Sequence, residues 1–177
     1  MLFRSVKQME QSGRMAWYLL LLLVPIGLLQ HTWYWQRLPD SVATHFGPGG
    51  QPDAWMPRTQ AVLVQAGFQV VFPFFLQLLG RLSAILPISM VNIPHREYWL
   101  APERRQATLG WVYGMLSCTG VAMSLLMLGL SHLTFQANIT HQPLQMKPFF
   151  FVLSLFLAAV FSLVFLSFRR FGQPPKD

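Results

Sequence analysis

The sequence predicts an all-α, four-span transmembrane helical bundle. Both termini fall on the cytoplasmic side, and a structured external loop joins the first two spans. Three observations carry that prediction. Hydrophobic residues make up 53% of the 177 and charged residues only 11%, against roughly 25% charged in soluble domains. The apolar residues collect in runs long enough to cross a hydrocarbon layer of ~30 Å at ~1.5 Å per residue. The Lys and Arg residues stand mostly at the ends of those runs, so the formal charge of +7 reads as topology control and not as nucleic-acid binding. The length suits a single integral-membrane domain over residues 1–177. The lone cysteine, Cys118, excludes an internal disulfide.

The first span is expected at about 15–35. It follows a basic start and has Trp17 and Tyr18 near one interface and Trp33, Tyr34 and Trp35 near the other, where amphipathic rings prefer to sit. It is longer than a signal-peptide core and has no small-x-small cleavage site behind it, so it is expected to remain uncleaved. The polar stretch 38–58 follows. Pro39, Pro48, Pro52 and Pro57 stiffen it, while Gly47, Gly49 and Gly50 allow left-handed backbone.

The second span, about 60–80, is the least apolar. Gln65, Gln69, Pro73 and Gln77 recur four apart, which places them on one helical stripe. Such a stripe should face other helices, either as interhelical hydrogen bonding or as a polar path through the bundle. Residues 82–105 are expected as a cytoplasmic interfacial segment. Its apolar part, 82–93, is short and broken by Pro87, which suits an interfacial or partly re-entrant path better than another full crossing. Within it, Pro102-Glu103 has the form of a helix's first turn. That helix leads into the third span, about 109–133, where Gly110, Gly114, Cys118 and Ala122 lie four apart as a close-packing face. Gly120 and Ser124 make a shorter pair. Cys118 is a small packing residue in this setting, not a reactive thiol. Residues 134–147 read as a polar connection containing Asn138-Ile139-Thr140, a glycan-acceptor pattern of low specificity. The fourth span, about 148–168, carries Ser154, Ala158 and Ser162 as its expected packing face.

Orientation follows from Lys and Arg. One side takes Arg4, Lys7, Arg14, Arg81, Arg96, Arg104, Arg105, Arg169, Arg170 and Lys176; the other takes only Arg37, Arg58 and Lys147. The positive-inside rule puts the ten on the cytoplasmic side and leaves 38–58 outside. The expected location is the bacterial inner or plasma membrane.

Two blocks carry a resemblance. Leu38, Pro39, Asp40, His45, Phe46, Gly50, Pro52, Asp53 and Trp55 resemble the signature of a domain of unknown function in bacterial membrane proteins, found at the N-terminus of Sdp-type toxin-immunity proteins. Asn92, Pro94, Tyr98, Trp99 and Pro102, with Arg105 at the usual basic position, resemble that group's second block. Ala43 and Gly47 depart from the common Pro and Asn, and four spans are fewer than the immunity proteins have. The resemblance implies sensing of an external peptide and coupling to a cytoplasmic regulator.

On the residues themselves, the external block is either a rigid cap over the helix ends or a recognition surface for an external peptide. His45 can be held there by Asp40 or Asp53. A metal site combining His45 and Asp53 with His31, His132 or His141 lacks any ligand spacing, so no metal and no cofactor is expected. The inner block is either an interfacial anchor, with Tyr98 and Trp99 at headgroup depth, or a docking site for a regulator. No intramembrane ionisable pair or nucleophile with a base stands out, so no catalytic residues are expected and the protein is not expected to be an enzyme. Three function classes remain. One is a sensor or peptide-toxin immunity protein. Another is a small transporter or accessory subunit using the Gln stripe. The third is a bundle-stabilising partner in an oligomer or membrane complex. The lipid bilayer is the one partner common to all three.

Overall fold

The computed structural model describes residues 2–174. The side chains of residues 2–10 and 12 lie outside that description, and so do Arg4, Lys7 and Lys176 of the orientation count. In chain order the elements are α1 (Leu2–Trp35), β1 (Ser41–Phe46), β2 (Pro52–Pro57), α2 (Arg58–Leu82), α3 (Arg96–Trp99), α4 (Pro102–Thr140) and α5 (Met146–Phe171). Single 3-10 turns occupy Pro48–Gly50 and Ile88–Met90.

Four of these helices contain segments long and apolar enough to cross a membrane: Gly13–Trp35, Arg58–Leu82, Pro102–Thr140 and Met146–Phe171. Their surface is inverted relative to a soluble protein. Leu22, Leu29, Leu63, Val71, Phe75, Leu125, Phe151, Phe161 and Phe165 point outward, while His31, Gln69, Gln77, Ser117, Ser124, Ser131 and Asn138 are buried. An outward apolar shell of that extent would be costly in water and is what a hydrocarbon solvent requires.

The all-α expectation needs one correction. The loop between α1 and α2 folds into an antiparallel hairpin, with Ser41 opposite Pro57, Val42 opposite Met56 and Ala43 opposite Trp55, and with bulges near Thr44 and Asp53. Two six-residue runs bounded by prolines and separated by a Gly-Pro-Gly-Gly turn give this signal in sequence. Gly49 and Gly50 adopt φ of 76° and 80° in the turn. Reading the block only as a stiff loop misses the pairing.

The chain divides into two compact units. One comprises Leu21–Phe72 and Met123–Leu157. Its core is Tyr34, Leu38, Val42, Ala61, Val62 and Phe135, so the base of the hairpin is seated on the adjoining helix ends. The other comprises the chain up to Leu20, Pro73–Ala122 and the chain from Ala158 onward. It holds a cluster of Trp99, Trp111 and Phe171 and a second of Val91, Leu100 and Leu109.

As expected, α4 begins at Pro102. It does not stop near 133 but continues to Thr140, so the connection to α5 shrinks to the few residues before Met146. Asn138 lies in this added stretch, and its side chain has a structural partner described below.

The expected small-residue face of α4 shifts as well. The buried positions are Gly114, Ser117, Gly120 and Ser124, whereas Gly110, Cys118 and Ala122 are half-buried. Both sets span a similar arc at 3.6 residues per turn, so what stands opposite each position, and not spacing alone, selects the buried face. On α5 the expectation is reversed. Ser154, Ala158 and Ser162 face outward, and the inward stripe is Val152, Phe156, Leu163 and Ser167. A large side chain opposite a small one explains this, since the position of a Cβ on Gly129 falls 2.9 Å from Val152 Cγ1.

Candidate functional site

The hairpin is held at three points. At its base, the Arg58 guanidinium pairs with the Asp40 carboxylate at 2.9 Å and donates to the Leu38 carbonyl at 2.9 Å. Near its tip, His45 Nδ1 lies 2.5 Å from Asp53 Oδ1, so Asp53 is the acid that holds the histidine. The outer edge of β1 is occupied by a side chain from α4. Asn138 Oδ1 accepts from the Ala43 amide at 2.6 Å, and Asn138 Nδ2 donates to the Ala43 carbonyl at 3.0 Å. The carboxamide thus stands where a third strand would. It is buried and has both ends engaged, which argues against Asn138 as a glycan acceptor.

The turn is tied to the α4–α5 connection. Gly50 accepts from the Leu144 amide at 2.8 Å, and a Cβ on Gly50 would collide with the Leu144 carbonyl oxygen. Between hairpin and connection lies a groove of about 250 Å³ lined by Phe46, Gln51, Pro52 and Trp55 on one side and by Asn138, His141 and Pro143 on the other. Trp55 is 54% exposed, and His141 sits in left-handed backbone at φ 52°. Neither His45 nor Asp53 lines the groove. The groove therefore gathers Phe46, Pro52 and Trp55 of the first block, while Gly50 shapes the turn beside it. Sequence reasoning missed Gln51, Asn138 and Pro143 here and weighed His141 only as a metal ligand. Asn138 was hidden by its resemblance to a glycan site, and a lone Asn facing a strand has no local signature.

The expected Gln stripe points inward. Gln69 is fully buried (0%) and Gln77 nearly so (2%), whereas Gln65 is half-buried. In the first unit, Gln69 Nε2 donates to Ser124 Oγ at 2.8 Å, and Gln65 Oε1 accepts a long 3.5 Å bond from Thr134. In the second, Gln77 Oε1 accepts from Ser117 Oγ at 3.1 Å. Gln69 lies directly on Gly27, whose Cβ would fall 2.6 Å from Gln69 Cγ. Among the described residues, Gln69 Oε1 and Gln77 Nε2 have no hydrogen-bond partner.

The second block closes the far end of its unit. Trp99 is buried, donates from its indole to the Phe171 carbonyl at 3.2 Å, and packs edge-on against the Phe171 ring. Thr108 donates to the Trp99 carbonyl at 2.8 Å. Trp99 is thus packed in the core of its unit, with its indole clasped to Phe171. Arg104 lies over the Tyr98 ring at 3.9 Å, and Arg105 donates to the carbonyl of Leu86 at 3.2 Å. Asn92 and Pro94 are exposed.

The five histidines are dispersed. His31 Nδ1 approaches the Gly27 carbonyl, His132 bonds Tyr34 Oη, and His95 approaches the Gly172 carbonyl. Among the described residues, no three His, Cys, Asp or Glu side chains come together in a metal-binding group.

The fold is that of a multi-pass helical membrane protein with a hairpin between its first two spans. Residues 20–70, which include that hairpin, match the family described as Domain of unknown function (DUF1648). An uncharacterized protein of Archaeoglobus fulgidus is 24% identical over 162 residues, covering 88% of this chain and 86% of the relative. No solved structure matches.

Proposed function

We propose that the protein is a non-catalytic recognition protein of the cell membrane, with both termini in the cytoplasm and an external hairpin groove that takes a peptide. Sensing of envelope peptides or immunity to a peptide toxin is the role this reading favours. The observation that carries it is the groove between the hairpin and the α4–α5 connection. It combines an exposed indole, a phenyl ring and polar groups on a backbone tied down at Asn138 and Leu144. Aromatic anchors on rigid supports suit binding because little side-chain freedom is lost. The distribution of Lys and Arg supports the outward orientation. The match of residues 20–70 to DUF1648 supports a shared use of the hairpin.

The test uses the purified protein in nanodiscs. A panel of cationic and hydrophobic envelope-active peptides is titrated while tryptophan emission is read. Saturable binding that Trp55→Ala weakens about tenfold, as loss of a buried aromatic anchor implies, supports the reading. No saturable response from any peptide, or no effect of Trp55→Ala, overturns it. A reporter fused after Asp177 tests the orientation and should read cytoplasmic.

A second reading has its own support. Gln69 Oε1 and Gln77 Nε2 are buried polar atoms without a partner among the described residues, as a polar path for a small solute would have. Replacing Gln65, Gln69 and Gln77 together by Leu abolishes solute movement on that reading and leaves insertion intact.

A further inference from the structure

We infer that the Arg14–Arg81 cavity is a binding site for the headgroup of an anionic phospholipid. Arg14 immediately precedes the apolar run that begins at Met15, and Arg81 stands one residue before the end of the second segment. Both line a cavity of about 410 Å³ together with Gln106, Leu109, Gly110 and Tyr113. Two cations from different helices therefore converge at the level where apolar chain gives way to headgroup.

The wall of the cavity is fixed. The Tyr113 ring is clamped between two glycines, because a Cβ on Gly13 would lie 3.1 Å from its Cδ1 and one on Gly80 would lie 2.9 Å from its Cδ2. Arg81 is steadied over the Trp17 ring, with its guanidinium carbon 4.7 Å from the centroid. Among the described residues, no carboxylate pairs with Arg14 or Arg81. The ion pairs formed there are His45–Asp53, Arg58–Asp40 and Arg96–Glu97. Two guanidiniums bring up to ten N–H donors to the site, and phosphate oxygens match their geometry. Leu109, Ala84, Gly80 and Gly110 make the remaining wall apolar. A ligand that is anionic at one end and apolar at the other satisfies both parts.

Native mass spectrometry of the detergent-purified protein reads retained lipid directly. Phosphatidylglycerol, phosphatidylcholine and inorganic phosphate are added separately to the wild type, then to Arg14→Gln/Arg81→Gln and to the charge-matched control Arg96→Gln/Arg169→Gln. The expected result is preferential retention of one phosphatidylglycerol. It should weaken about twenty-five-fold in Arg14→Gln/Arg81→Gln, from about fivefold per basic residue, and persist in the control. Equal retention of both lipids by the wild type overturns the proposal without recourse to any variant. Equal loss in the control overturns it too, since bulk charge then suffices. Displacement of the lipid by stoichiometric inorganic phosphate also overturns it and assigns the site to a free anion.

Discussion

Asn138 and Ala43 form a reciprocal pair: one carboxamide accepts from the backbone N–H and donates to the backbone C=O of the same residue, at 2.6 and 3.0 Å. A helix side chain thereby takes the place of a strand on the covered edge of a two-stranded sheet. Isolated two-stranded hairpins are marginal in water, and this pair anchors the hairpin to the helix.

Asn138→Leu leaves both Ala43 groups unpaired. Each buried orphan costs about 1–3 kcal/mol, so thermal unfolding in detergent should fall clearly below wild type. Asn138→Asp keeps the acceptor and loses the donor, and should fall in between. Amide exchange at Ala43 should accelerate in both variants.

Gly50 and Gly49 separate strain from crowding. Both have positive φ, but a Cβ meets the Leu144 carbonyl only at Gly50 and nothing within 4 Å at Gly49. Gly49→Ala should cost about 1–2 kcal/mol, the penalty of an L-residue in left-handed backbone. Gly50→Ala should cost more, and should lose exchange protection at the Leu144 amide. Equal melting temperatures for the two variants would contradict this.

The side chains of His45 and Asp53 are 71% and 51% exposed. A double-mutant cycle on folding stability should therefore return less than about 1 kcal/mol, as exposed pairs do. A larger change in peptide binding than in stability would mark the pair as part of the recognition surface.

Gly27→Ala forces the buried Gln69 side chain to move, because the new methyl would lie 2.6 Å from Gln69 Cγ. Overpacking of this kind costs about 1–3 kcal/mol. The same substitution should cost less in a Gln69→Ala background, and that non-additivity is the signature of direct contact.

Trp99→Ala removes the ring that packs on Phe171 and the bond to its carbonyl. Losses of buried aromatics run to about 3–5 kcal/mol. Tyr98→Ala should cost less, since Tyr98 is only half-buried. An interfacial anchor would instead show similar, small effects at both positions, so melting curves distinguish the two roles.

Much of the architecture was legible in one dimension because the solvent writes it there. Apolar runs of membrane-spanning length, the Pro102-Glu103 helix start and the inward Gln stripe follow from hydropathy, local propensity and helical period. Which small residues pack was not legible. Ser154, Ala158 and Ser162 are spaced as well as Gly114, Ser117, Gly120 and Ser124, yet the first set faces outward and the second inward. The choice depends on what stands opposite, as Val152 against Gly129 shows.

By itself, the sequence determined four membrane-length helices, the polar block between the first two, and its family likeness. Only the tertiary structure decided that this block is a hairpin, that Asn138 completes its edge, and that Trp99 is core. Hydropathy and period are properties of a chain and its solvent. A hydrogen bond between residues 95 positions apart exists only once the helices have brought them together.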